Sequence, residues 1–231
     1  MDKFRRELQI IFNNVPRYMG EDLEQRARVV LPTVYSQIVL DSQRVAQCPS
    51  EISDTAVGCV LYKTRSDLGM AQAFAAICQK LELAASVESC LFQQRPKYFV
   101  LVDINGQKFV CDPFLERVTQ NVPHFKHFMM NRLTVEKMNN ERYAAMDSSQ
   151  LSEQEMDYFH INGLRLDSLE NLHKLAANIV KVNHSVAIAV DYQLETQMKE
   201  VGERLKPLVL EISQNLLQMT SYQFTNNVLF C

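Results

Sequence analysis

Apolar and polar positions along the chain fall into three rhythms. From residue 1 to 14, Phe4, Leu8, Ile11 and Phe12 recur at helical spacing among charges, which predicts a helix. Asp22 to Leu40 predicts a second helix, which Pro32 should kink or divide. "QCPSEISD" is polar and holds the turn formers Pro49 and Ser50, so it reads as a loop. Thr55 to Leu61 is short and apolar, either a helical turn or a buried approach segment. From Asp67 onward, Ala71, Phe74, Ala75, Cys78 and Leu81 step by threes and fours, the mark of a buried helix rich in small residues.

The rhythm then shortens. "SVESCLF", "KYFVLVDI" and "KFVCDPF" read as three strands, the last two joined by Asn105-Gly106, the strongest short hairpin signal. The middle run is nearly all apolar, as a central strand would be. Residues 115–157 are irregular. After them "SLENLHKLAANIVK" predicts a helix with Ser168 as N-cap, and "SVAIAVDY" a strand. A long helix from "LETQMKEVGERLKPLVLEISQNLLQM", which Pro207 would kink, and a last strand, "YQFTNNVLFC", complete the chain. The expected architecture is α+β, with a first domain over 1–155 and a smaller αβαβ part over 156–231.

Composition narrows the function classes. In 231 residues, 47% hydrophobic and 22% charged side chains allow an ordinary core. A formal net charge of -3 gives no electrostatic case for nucleic acid. "MDKFRRELQIIFNNV" lacks the long apolar run and small-residue cleavage site of a signal peptide. Apolar runs are too short to span a bilayer, so a soluble cytoplasmic protein is expected. The six cysteines include no CxxC pair and none near a histidine at ligand spacing, so neither a metal nor another cofactor is expected. Cys231 lacks the three following residues that a prenylation box needs. His124 and His127 could meet a metal only on a helix, and no acidic partner is suitably spaced. His160, His173 and His184 are scattered.

The order of loop, buried helix and antiparallel strands carries a resemblance. The segment Arg65–Phe74, RSDLGMAQAF, is similar to the GxCxGxAxAF core of the transglutaminase-like superfamily, bacterial branch, through Gly69, Ala71, Ala73 and Phe74. "SDTAVGCVLYKT" resembles the family's approach to that helix, and Lys97–Gly106 its HaWNxVxidG segment. "KFVCDPF" resembles the strand that ends in the family's catalytic Asp, and "DYFHINGLRL" a tail in some members. The similarity spans residues 20 to 175 and implies a papain-like core, with a helix packed on an antiparallel sheet.

The departures matter as much. Where the family has its nucleophilic Cys stands Asp67; where it has its His stands Lys97; Asp112 alone is kept. A carboxylate would form a mixed anhydride too reactive to serve as an acyl carrier, and a lysine near its usual pKa of about 10.4 is no general base at neutral pH. The expectation is therefore a catalytically inactive, scaffolding or peptide- and protein-binding module. Asp67, Lys97 and Asp112 would form a structural ion-paired triad in it, the helix N-terminus favouring Asp67 by ~0.3–1 kcal/mol. Two other readings stand beside it. One is an active hydrolase or acyltransferase using Asp67, Lys97 and Asp112 or a displaced Cys. The other is a structural subunit whose cleft is filled by its own 115–157 segment. Among displaced nucleophiles, Cys78 lies on the helix's apolar face, Cys111 points away from the Asp112 face, and Cys59 lies in an ill-defined segment. The sequence names no ligand and no oligomeric state.

Overall fold

In the computed structural model the described residues are 2–39, 48–116, 118–119, 122–138, 143, 146–182, 187–191, 194, 197–212, 223–225 and 228–230. They build a mixed helical and sheet protein whose chain divides into two compact units. The first comprises Met1–Arg117 and Lys126–Asp157; the second comprises Val118–Phe125 and Tyr158–Cys231. The sequence places the whole of 118–125 in the first domain, whereas in the structure this short segment belongs with the C-terminal unit.

The first unit opens with α1 (Asp2–Asn14) and α2 (Leu23–Val39). Asp22 starts α2, its Oδ1 accepting from the amides of Glu24 (2.9 Å) and Gln25 (3.2 Å). Pro32 does not divide α2, which runs unbroken through it and buries Val30, Leu31, Val34, Tyr35 and Ile38. The segment after Thr55 is helical, α3 (Ala56–Tyr62), and it stops where Lys63 turns left-handed at φ 56°. The long α4 (Asp67–Lys80) follows.

Residues β1 (Ala84–Phe92), β2 (Arg95–Ile104) and β3 (Gln107–Cys111) form an antiparallel sheet in the order β1-β2-β3. α4 packs on β1 and β2 and also against α2 and α3, and its small residues allow the approach. A Cβ added at Gly69 would lie 2.8 Å from the Thr55 carbonyl oxygen, so only glycine lets α3 and α4 meet this closely. The opposite sheet face carries a second cluster, in which Phe99, Leu101, Val110 and Cys90 pack with Met130, Val135, Tyr143 and Leu151. Val135 belongs to α5 (Arg132–Lys137). Beyond β3, single bridges from Val110 to Met130 and from Lys108 to Leu151 cover that edge of the sheet.

The second unit contains β4 (Val118–Thr119) paired with β5 (Val122–Pro123), then α6 (Tyr158–Asn162), β6 (Arg165–Leu166), α7 (Leu172–Val182), β7 (Ala187–Val190) and α8 (Met198–Ile212). Its last elements are β8 (Gln223–Thr225) and β9 (Val228–Phe230), so the single final strand expected from the sequence is instead two short antiparallel ones. The larger sheet runs β6-β7-β9-β8, with β6 and β7 parallel. Ser168 precedes a short 3-10 turn rather than capping α7 directly. Phe125 stacks on Tyr158 with ring centroids 3.6 Å apart.

Both hairpins of the first sheet use two left-handed residues, the backbone twist that suits antiparallel strands. Asn105 (φ 54°) and Gly106 (φ 83°) are residues that adopt it readily, and Asp103 Oδ1 accepts from the Gly106 amide at 2.7 Å. The β1–β2 turn does the same with Gln93 (φ 50°) and Gln94 (φ 62°), which resist it. Replacing the pair by Gln93→Asn with Gln94→Gly should stabilise the fold by about 1 kcal/mol. The urea midpoint reads this out, and an unchanged or lower midpoint contradicts the strain.

Candidate functional site

The structure gathers buried polar side chains at one place, the corner where the chain leaves β3. Cys111 ends the strand and Asp112 follows it, fully buried. Its backbone N–H donates to the His127 carbonyl at 2.8 Å. Its carboxylate accepts from the Tyr143 hydroxyl (Oδ2, 2.9 Å) and from the Leu115 amide (Oδ1, 3.2 Å). Four residues on, Glu116 is also buried, and its Oε2 accepts from the Tyr35 hydroxyl and the His127 amide, both at 3.1 Å.

Each member is placed by packing. Tyr35 sits on the buried face of α2, between Phe74 of α4 and Phe128, with edge-on ring contacts at 5.7 and 5.1 Å. Its hydroxyl also approaches the Asp112 carbonyl oxygen at 3.3 Å. Burial first, and the Glu116 carboxylate second, hold the Tyr35 hydroxyl well above its ordinary pKa, so it remains a proton donor. Tyr143 packs edge-on against Phe99 of β2. Arg65, two residues before α4, donates through Nη2 to the carbonyls of Phe114 (3.1 Å) and Glu116 (3.0 Å). The start of α4 is thereby tied to the loop after β3.

The three positions singled out from the sequence lie in different settings. Asp67 is the first residue of α4, in its first turn, but it is not the cap. That role falls to Ser66, whose Oγ accepts from the Gly69 amide at 2.9 Å. Lys97 lies opposite Cys90 in the β1–β2 ladder. Strand alternation puts it on the side of Phe99 and Leu101, the face away from α4. Among the described residues no ion pair joins Asp67 to Lys97, and none joins Lys97 to Asp112. Asp112 is instead built into the Tyr143 network. The face that Lys97 shares with Phe99 separates it from Asp67 on α4, whereas Asp112 follows β3 on that same face and has its carboxylate engaged by Tyr143 and the Leu115 amide.

Thiol chemistry finds little support at this corner. Burial pushes Cys111 up to about 12 and Cys59 up to about 11, and it also raises Cys78 well above the ordinary thiol value. Each stays protonated at neutral pH and is a poor nucleophile. His124 and His127 are not on a helix, since Phe125 between them is left-handed at φ 54°, and they fall in different units. His160 and His173 are exposed, while His184 lies outside the described residues. Among the described residues no group of three or more metal-binding side chains converges.

A cleft of about 270 Å³ lies at the other end of α4, between Lys80-Leu81-Glu82 and the α1–α2 connection, with Phe12, Tyr18 and Val30 on its walls. Arg26 crosses it to Glu82 at 2.8 Å. The position of Asp67, at the first turn of the same helix, is remote from it.

Tyr35, Glu116 and Tyr143 were not apparent as site residues from the sequence. Tyr35 falls on the apolar stripe of α2, which was a usable signal; the other two lie in irregular segments with no periodicity to place them. No protein-family model matches this chain, and no curated protein matches it either.

Two outcomes follow. Tyr143→Phe keeps the ring but takes a donor from a buried carboxylate, and should cost about 1–3 kcal/mol in denaturant unfolding. A loss below a few tenths of a kcal/mol contradicts the network. In native protein near pH 7.5, Cys59, Cys78 and Cys111 should react with iodoacetamide far more slowly than a free cysteine, the rate for Cys59 climbing only as pH nears about 11. Fast labelling of any of the three, located by peptide mapping, contradicts their protonated state.

Proposed function

We propose that this chain is a degenerate transglutaminase-like protein, with a papain-like first unit, acting as a non-catalytic peptide- or protein-binding or scaffolding module. The carrying observation is Asp67. A carboxylate stands in the first turn of a helix that packs on an antiparallel sheet, at the position that the sequence resemblance aligns with the nucleophilic thiol of transglutaminase-like enzymes. The N-terminus of a helix favours a negative charge whether it is a thiolate or a carboxylate. The site's electrostatic preference is therefore kept while its nucleophile is absent. Asp112, at the end of the third strand, agrees with the position of the family's orienting carboxylate, and its side chain is committed to Tyr143.

A second reading has its own observation. Tyr143 and His127 come from the 115–157 segment, and with Tyr35 they bury Asp112 and Glu116. This favours a structural subunit whose former site is filled by its own chain. In both readings the protein is without acyl-transfer activity, and no metal or cofactor is needed.

The chain should release no p-nitrophenol from p-nitrophenyl acetate above the buffer rate. With a glutamine-containing dipeptide and hydroxylamine it should form no hydroxamate, and its intact mass should show no acyl adduct. Turnover abolished by Asp67→Ala, or by alkylation of one cysteine, overturns the non-catalytic reading. Panning a random peptide library separates the two remaining roles. Enriched sequences whose binding is lost in Asp67→Arg favour the binding module, and failure to enrich favours the filled subunit.

A further inference from the structure

Among the described residues no strand pairs with the outer edge of β1, and the backbone geometry of that edge is fixed by the turn beside it. Phe92 and Arg95 close a two-residue hairpin, so they form a hydrogen-bonded pair. Such pairs alternate along an antiparallel ladder. The even residues from 84 to 92 therefore bond to β2, and the N–H and C=O groups of Ala85, Val87, Ser89 and Leu91 point outward. An independent contact agrees with this phase: the Gln79 side chain donates to the Ala85 carbonyl at 2.7 Å. Beyond Ala85, no described residue bonds the outward groups of Val87, Ser89 or Leu91.

The strand carries few of the devices that guard an edge. It has no proline, and its nine consecutive pairs with β2 contain no bulge. Its one charge, Glu88, is engaged within the strand by the Ser86 hydroxyl at 3.0 Å. Leu91 is 70% exposed, among the most exposed large apolar residues described. By contrast, the far edge of the sheet, β3, is bridged by Met130 and Leu151.

We propose that β1 is a self-association strand, pairing antiparallel with β1 of a second copy of this chain about a two-fold axis at Ser89. The sequence around Ser89 is self-complementary in that register. Val87 lies across from the partner subunit's Leu91, and Leu91 across from the partner subunit's Val87, so two apolar pairs form on the same face. Glu88 meets the partner subunit's Cys90. An axis one residue earlier would set Glu88 against the same residue of the other copy, a like-charge pair that is destabilising. The small Ser89 sits where the two strands cross the axis. An interface of one strand each is small, so the pairing is weak and depends on concentration.

Light scattering during size-exclusion chromatography of the full chain, loaded at increasing concentration into the high-micromolar range, should show the mass rising toward two copies. Ser89→Pro removes only an outward N–H and should return the mass to one copy with the melting temperature kept. Leu91→Lys should do the same through its charge. Register is read by oxidation: Ser89→Cys should give a disulfide-linked dimer and Val87→Cys should not, because only residue 89 faces its own copy. A mass of one copy at every concentration overturns the proposal, as does a dimer unmoved by both Ser89→Pro and Leu91→Lys. A Val87→Cys crosslink without a Ser89→Cys one overturns the register.

Discussion

The first unit depends on how closely α4 can be packed. This helix meets α2 and α3 as well as the sheet, and it buries Gly69, Met70, Ala71, Ala73, Phe74, Ala75, Ile77 and Cys78. Most of these are small, which brings backbone to backbone distance down. At Gly69 even a methyl group would collide with the Thr55 carbonyl. The one large aromatic on this helix, Phe74, is met by an equally buried Tyr35. A core of this kind has few ways to relax around a change in volume.

That packing sets the terms for everything at the end of β3. Tyr35 is carried inward by α2 because its ring is needed against Phe74 and Phe128, and its hydroxyl must then find an acceptor away from water. Glu116 supplies it. A buried carboxylate needs donors of its own, and the chain returns through His127 and Tyr143 to provide them for Glu116 and Asp112. The corner thus reads as a sequence of obligations that begin with apolar packing and end in a polar network. This is also why Asp112 makes a poor partner for a distant lysine: its oxygens are already engaged from nearby.

The sequence conveyed the regular parts of this architecture well, for physical reasons. Period-2 and period-3.6 patterns reflect burial on one face, so α4 and the three strands were legible, and Asn105-Gly106 announced its turn because few other residues adopt that backbone. Gln93-Gln94 was silent, since glutamine carries no turn signature, although the chain bends there in the same way. Ser66 caps α4 and Asp67 follows it in the first turn, and the sequence alone does not separate two adjacent residues that both cap helices well. The Lys97 expectation came from aligning spacing along the chain without tracking which face each strand residue occupies. Glu116 and Tyr143 were illegible because segments without periodicity are placed by tertiary contacts alone. The final hairpin, β8 and β9, was read as one strand because "QFTNNVLF" is apolar on both sides of a short polar break.

The network at the corner also has a kinetic meaning. Its hydrogen bonds close large loops: 81 residues separate Tyr35 from Glu116, 49 separate Arg65 from Phe114, and 31 separate Asp112 from Tyr143. The two tight hairpins of the sheet, by contrast, join neighbours in sequence. Contacts that close long loops carry their entropy cost before they return any stability, so they form late, after the hairpins and the α3–α4 pair. The corner is then a latch rather than a nucleus. Weakening it leaves the rate of folding almost untouched and shortens the lifetime of the folded chain.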